Sequence, residues 1–432
     1  LKFYSTNKNS PSVDFREAAI LGQAPDMGLY FPEQIPVMET HFFETIEKLS
    51  NEEIAFHVIR PYLENVIPDE ELYKIVRATI DFPIPLVQIH ENIFSLELFH
   101  GPTLAFKDIG ARFMSRCLGY FLQTESRKVT VLVATSGDTG GAVANGFYDV
   151  DHIDVVILYP SGKVSPVQEK QLTTPGKNIH ALEIQGTFDD CQQMVKQAFA
   201  DEEVNKKLFL TSANSINVAR WLPQQFYYFF AYKLWPDKKN LPVISVPSGN
   251  FGNIAAGLLA LKSGLPIKHF IAACNANDVF PHYLSSGNYQ SKKAIPTLSN
   301  AMDVGHPSNF VRILEIFNHD FSELKKNISA FSITDEETAE AIKEVYRQHN
   351  YILDPHGAVG FLSLKKYLHH HPGQTGIFLE TAHPSKFPEA VEKVVGEKIK
   401  IPDSVKNIFT KKKQSVLMKA DYNLLQEYLL KN

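Results

Sequence analysis

Two glycine-rich turns, each set between a β-branched run and a helical pattern, constrain this chain more than any other feature. The first, Thr135-Ser-Gly-Asp-Thr-Gly-Gly141, closes the run Val129 to Thr135. The second, Pro247-Ser-Gly-Asn-Phe-Gly-Asn253, closes Pro242 to Val246. A strand that turns on glycine and restarts as a helix is the repeating unit of a parallel sheet, and it gathers the backbone N–H groups of the helix start into an anion site. The alternation continues around both turns. Val155 to Tyr159, Asn178 to Ile184, Leu208 to Thr211, Lys268 to Cys274 and the late Gly376 to Leu379 read as strands. Gly140 to Tyr148, Ser165 to Leu172, a stretch opened by Thr187 with Asp189 and Asp190, and Ile254 to Lys262 read as helices. Asn214 to Arg220 leads into a long helix ending near Leu234, and Thr334 to Glu337 is a capping box ahead of Ala339 to His349. The expected class is α/β, with parallel-rich sheets covered by helices.

A single core rarely grows past about 250–300 residues, so 432 residues predict two lobes. Residues 1–90 read as a mainly helical N-terminal region, with Asn51 to Asn65 and Asp69 to Ala78 at helical spacing. Residues 91–395 carry the strand–helix alternation, and 396–432, with Lys411 to Lys413, form a charged peripheral tail. The balance of 43 basic against 48 acidic side chains gives a net charge of −5. That leaves no basic surplus for nucleic acid or an anionic membrane surface. No run approaches the roughly 20 apolar residues of a membrane helix, and the aromatic run Phe226 to Tyr232 reads as core. Leu1 to Pro11 has no signal-peptide pattern. Cys117, Cys191 and Cys274 lie far apart in apolar contexts and are expected as buried, reduced thiols in a cytoplasmic protein.

Lys107 stands in His100-Gly-Pro-Thr-Leu-Ala-Phe-Lys-Asp-Ile-Gly-Ala-Arg112. Taken alone it is an ordinary lysine opening a helix. Between Phe106 and Ile109 it is also placed where desolvation would disfavour an ammonium and free the amine as nucleophile and base. One such lysine and two anion-cradling turns are the parts needed to hold a phosphorylated aldehyde covalently, which points to an enzyme. Gly249 and Gly252 permit positive φ and close approach of a ligand. The spacing matches neither the nucleotide P-loop nor the dinucleotide fingerprint. Thr135 to Gly141 suits a carboxylate, and Asp138 could share a proton with a phenol-like oxygen. Asn214 and Arg220 offer an amide and a guanidinium, the latter able to grip a phosphate at two points; Lys163 and Arg112 are the next cations in line. His369, His370 and His371 are consecutive, so on a helix they diverge, and no metal site is read there.

As a set these residues resemble the threonine synthases, over nearly the whole chain. The matching motifs are Tyr4-Ser-Thr, Asp26-Met-Gly-Leu-Tyr-Phe-Pro32, His100 to Asp108, Thr135 to Gly140, Ser248 to Asn253, Met302-Asp-Val-Gly and Glu380-Thr-Ala-His-Pro384. The resemblance is to the longer branch found in enterobacteria and fungi. It implies a two-lobed, tryptophan-synthase-β-like fold (PLP fold type II) and pyridoxal 5′-phosphate as cofactor. On that resemblance Lys107 forms the Schiff base, Gly249, Asn250, Phe251, Gly252 and Asn253 wrap the cofactor phosphate, and Thr381 faces the pyridine nitrogen. Thr135, Ser136, Gly137, Asp138 and Thr139 hold the substrate carboxylate, with Asp138 near the cofactor's phenolic oxygen. Asn214 and Arg220 take the substrate phosphate, and His306 is given no role. The implied reaction converts O-phospho-L-homoserine and water to L-threonine and phosphate, by γ-elimination and β-addition, in a cytoplasmic monomer or homodimer. A serine or threonine dehydratase, an amino-acid phospho-lyase and a silent ligand-binding protein remain as alternatives on the same scaffold.

Overall fold

The computed structural model describes residues 1–123 and 128–431. The chain divides into two compact units. One comprises Leu1, Phe31–Phe106 and Trp221–Lys400, and the other Lys2–Tyr30, Lys107–Arg220 and Ile401–Asn432.

In the first unit a six-stranded sheet runs in the order Ile328–Ser332, His269–Cys274, Val243–Pro247, Gly376–Glu380, Ile93–Glu97, Leu86–His90. All neighbours are parallel except the last pair. Val243–Pro247 and Gly376–Glu380 are buried at every position, polar Ser245 and Glu380 included, which is why they lack the alternation of a half-exposed strand. Helix Pro355–His370 packs on them through Gly360, whose absent Cβ would lie 3.3 Å from Pro247, while Ser245 Oγ donates to Gly360 O at 2.7 Å. Val243, Ile271, Leu353, Phe361, Leu364 and Phe378 form the core between them. The N-terminal helices Asn51–Leu63 and Asp69–Thr79 form as their spacing predicts, the first closed by the Ser50–Glu53 capping box. Leu86–His90, expected within that helical region, is instead a strand; only Glu91 and Asn92 separate it from its antiparallel partner, too little sequence for a clear turn signal.

In the second unit five strands are all parallel, in the order Val416–Lys419, Ile179–Gln185, Ile153–Pro160, Val129–Ala134, Phe209–Thr211. Leu132, Val156, Leu158, Leu182, Met194, Leu425 and Leu429 form its core. The C-terminal segment therefore supplies an edge strand and two core leucines. Lys413 pairs with Glu169 and Glu183.

One expected element does not form. The long helix expected after Asn214 to Arg220 and ending near Leu234 is instead divided into Val218–Trp221, a 3-10 turn Leu222–Gln225 and Phe226–Leu234. Pro223 explains the break, because it lacks an N–H and its ring crowds the preceding turn. Phe226 to Tyr232 are buried, as expected. Cys117, Cys191 and Cys274 are buried free thiols; burial pushes the Cys191 thiol up to about 12 and the other two higher still. His369 and His370 lie in the last turn of their helix, and His371 stacks on Tyr367. Among the described residues no helix is long and apolar enough to cross a membrane.

Candidate active site

The second glycine turn lies in the first unit. After Val243–Pro247 the chain passes Ser248, Gly249 and Asn250, then Phe251 takes a left-handed conformation (φ 61°) and helix Gly252–Lys262 begins. The Phe251 ring packs on Phe280, centroids 4.9 Å apart, which holds a non-glycine residue in this uncommon region. No side chain caps the helix, so its first N–H groups and its dipole are left for something outside it. Asn253 adds a buried polar group to the turn. Its Oδ1 accepts from the Tyr228 hydroxyl at 2.8 Å, while its Nδ2 is buried with no acceptor among the described residues. Asn250 braces the turn, its Oδ1 accepting from Ser308 N at 2.6 Å.

The glycines of this turn act otherwise than expected. The left-handed residue is Phe251, and neither Gly249 nor Gly252 has positive φ. Glycine is needed at 249 because a Cβ there would stand 2.5 Å from Met302 Cα. This gives the Met302-Asp-Val-Gly motif a physical role. Asp303 accepts from Thr297 Oγ1 at 2.7 Å and Asn275 Nδ2 at 2.9 Å, and Gly305 lies against the Lys292 carbonyl, fixing the segment that backs the turn. His306 meets the Tyr289 hydroxyl through Nδ1 at 2.9 Å.

Thr381 follows strand Gly376–Glu380 and is buried. Its carbonyl accepts from Phe106 N at 2.9 Å, and His383 N donates to Leu104 O at 3.0 Å, so residues 104–106 pair antiparallel with 381–383. Tyr227 donates its hydroxyl to Phe106 O. Lys107 is the next residue in the chain.

Beneath Thr381 lies a buried acidic array that sequence reasoning did not single out. Glu380 Oε1 accepts from Asp354 N at 2.6 Å. Asp354 caps helix Pro355–His370 and receives His356 Nδ1 at 2.5 Å. Burial, then the neighbouring Asp354, holds the Glu380 carboxyl well above the ordinary carboxylate range. Asp354-Pro-His-Gly is a helix-start signal that could have drawn attention to these residues.

In the second unit Lys107 is the first residue of helix Lys107–Leu122 and is half-buried. One turn along, a Cβ on Gly110 would lie 2.8 Å from Arg220 O and 3.0 Å from its Nε. Residues three apart share a helix face, so buried Arg220 packs against the face that carries Lys107. Arg220 Nη1 donates to Ala213 O at 2.5 Å, which holds the guanidinium in place. Of the two other cations, Arg112 is buried and Lys163 exposed. Asn214 is half-buried and donates its N–H to Ser212 Oγ at 3.3 Å. The first glycine turn opens helix Asp138–Gly146, earlier than the expected Gly140, because Thr135 Oγ1 accepts from Gly137 N at 3.0 Å and Gly140 N at 2.8 Å and draws the turn tight. Asp138 Oδ1 accepts from Gln168 Nε2 at 2.9 Å, a partner the sequence reading missed although Ser165 and Gln168 form a capping box. Ser136 and Thr139 are half-buried on the turn. Gly146 lets this helix close on Ala111 of the helix that Lys107 begins.

Residues 82–379 match the model described as "Pyridoxal-phosphate dependent enzyme". The solved neighbours include the threonine synthase of Escherichia coli (TM-score 0.92, 41% identity, covering 100% of both chains) and the PLP-bound threonine synthase of Brucella melitensis (TM-score 0.93, 36% identity, covering 99% of this chain and 98% of that one). With its two parallel-rich α/β units, the chain is thus a pyridoxal-phosphate-dependent enzyme of fold type II. Residues 2–80 match "Threonine synthase N terminus" and 357–429 "Threonine synthase, C-terminal". A Haemophilus influenzae threonine synthase is 43% identical over the full length of both chains. The chain belongs to the threonine synthase family.

The residues fit such a cofactor. A bare helix start beside the unsatisfied Asn253 amide suits its phosphate, and the polar, buried Thr381 follows the strand end that pairs with the residue before Lys107.

Proposed function

We propose that this enzyme converts O-phospho-L-homoserine and water into L-threonine and phosphate, a carbon–oxygen lyase reaction that completes threonine synthesis. The observation that carries the reading is Arg220. It is a buried cation packed on Gly110, one helical turn from Lys107, which suits a substrate whose leaving group is a phosphate. Full-length similarity to threonine synthases supports the same substrate.

Pyridoxal phosphate, when bound, supplies the electron sink for carbanion chemistry at the substrate. Lys107 Nζ anchors it and then takes the proton from substrate Cα and from Cβ. The backbone of Gly249, Asn250, Phe251, Gly252 and Asn253, with Asn253 Nδ2, would receive the cofactor phosphate, and Thr381 would serve its ring nitrogen. Ser136, Gly137 and Thr139 orient the substrate carboxylate, while Thr135 keeps the turn closed with its own hydroxyl oxygen. Asp138, held by Gln168, would serve the phenolic oxygen of the cofactor. Arg220, with Asn214, binds the substrate phosphate and stabilises its charge as the Cγ–O bond breaks. Residues 1–90, 91–395 and 396–432 are proposed as N-terminal region, catalytic region and C-terminal segment.

The test is a product assay on the purified enzyme with O-phospho-L-homoserine. Threonine and phosphate in equal amounts are expected. A 2-oxo acid as the main product would replace this reading with a dehydratase or phospho-lyase.

A further inference from the structure

Glu380, Asp354 and His356 touch both the strand end that precedes Thr381 and the segment that backs the Gly249 turn, and helix capping accounts for Asp354 alone. All three are buried, with Glu380 and Asp354 wholly so. Glu380 Oε1 accepts from Asp354 N, and Glu380 Oε2 has no donor facing it among the described residues. A Cβ on Gly357 would stand only 1.5 Å from Oε2, so glycine lets the helix start press against this carboxyl. Asp354 meanwhile accepts from His356 N at 2.8 Å, His356 Nδ1 at 2.5 Å and Gly357 N at 3.2 Å. On its far side His356 Nε2 accepts from Ala301 N at 3.2 Å, which fixes the tautomer with the proton on Nδ1. Ala301 precedes Met302, whose Cα is the atom that excludes a side chain at Gly249. The covalent neighbour of Glu380 is Thr381. A continuous polar array therefore joins the two stretches of this unit that are proposed to meet the cofactor's ring nitrogen and phosphate.

We propose that Glu380, Asp354 and His356 are positioning residues that hold Thr381 and the Gly249–Asn253 turn in fixed register for the cofactor. The inference rests on the reading of those two stretches as cofactor-binding. Two carboxylates side by side without a donor between them would repel, whereas one proton on Glu380 Oε2 turns the unsatisfied acceptor into a donor towards Asp354. Burial and the Asp354 charge both favour that neutral acid. An amide reproduces it: the Gln carbonyl accepts from Asp354 N, and its NH2 donates to the Asp354 carboxylate. Alanine leaves Asp354 buried without that donor.

The experiment is titration of the apoprotein with pyridoxal phosphate, read by dissociation constant and by the position of the visible absorption band. Circular dichroism serves as the check on folding. Glu380→Gln is expected to bind within about twofold of the parent with an unchanged band, and Glu380→Ala to weaken binding about tenfold or more and shift the band, the size of one lost buried hydrogen bond. Should Glu380→Ala not fold, His356→Gln carries the same test. It keeps an acceptor for Ala301 N but has nothing at the Nδ1 position, and about fivefold or greater weakening is expected. Glu380→Gln as impaired as Glu380→Ala, or His356→Gln binding and absorbing like the parent, would overturn the proposal. Thr381→Val and Asn253→Asp separate the two levels. If these shift the band or the affinity while the array variants do not, only the array fails; if they too are silent, the cofactor assignment of this unit fails.

Discussion

The two glycine turns look interchangeable as sequence, yet they use their backbone in opposite ways. In the turn at 135–141, Thr135 Oγ1 accepts two of the turn's own N–H groups, and Gln168 holds Asp138. In the turn at 247–253 a non-glycine residue is held left-handed and, among the described residues, the helix start has no capping side chain and the buried Asn253 amide nitrogen has no acceptor. The first turn is complete in itself and presents positioned side chains. The second leaves its helix start uncapped by any side chain among the described residues. Glycine content does not distinguish them; where the N–H groups go does.

Lys107 serves as the control outside both turns, and its loss should be the largest effect. Lys107→Ala is expected to lower threonine formation about 10³-fold or more, since anchor and base vanish together. Steady-state turnover without added amine checks this, and near-parent turnover would contradict the role given to Lys107.

Next comes Arg220→Lys, which keeps the charge but loses the two-point grip. kcat/KM for O-phospho-L-homoserine should fall about 10²-fold while cofactor affinity holds. If activity is retained, buried Arg112 becomes the candidate for the substrate phosphate.

Thr135→Val sharpens the contrast between the turns through stability. It leaves Gly137 N and Gly140 N without their acceptor, at a cost of about 1–3 kcal/mol in denaturant unfolding. A change near zero would mean that the hydroxyl does not close the turn.

The smallest effect concerns pH. Burial lowers His269 and His383 of the first unit to about 4, against the usual 6.5. Between those values the unfolded chain binds protons that the folded chain refuses, so stability is full above about 6.5 and is lost as pH falls towards 4. His383→Asn should flatten part of the acid slope of the melting temperature. An unchanged slope would show that His383 does not contribute to it.

The sequence disclosed the strand–turn–helix units well, because a strand buried on both faces is a continuous apolar run and its limits are marked by glycine and capping residues. Val243–Pro247 lies within a residue of its expected bounds, and helix Phe188–Ala200 begins at the expected Thr187 cap. What stayed hidden depends on tertiary contact. The edge strand Val416–Lys419 is largely exposed and has no apolar signature. The break at Pro223 lies just before the aromatic run Phe226 to Tyr232, whose apolar pattern continues straight through it. Within the candidate site, residue types were legible but their partners were not. Nothing local to Gly249 points to Met302, and nothing near Glu380 points to Asp354, because both pairings are made by parallel strands and helices distant in sequence.

The division of labour between the turns is tested most directly by titrating apoprotein with pyridoxal phosphate and with pyridoxal, which lacks the phosphate. Asn253→Asp puts a carboxylate oxygen where the unsatisfied amide stands, and it should weaken pyridoxal phosphate about 10–100-fold while leaving pyridoxal unchanged. Asp138→Asn, in the other turn, should leave the ratio of the two affinities as in the parent. If Asn253→Asp weakens both ligands equally, or if Asp138→Asn alone narrows the ratio, the turn at 247–253 is not the phosphate site.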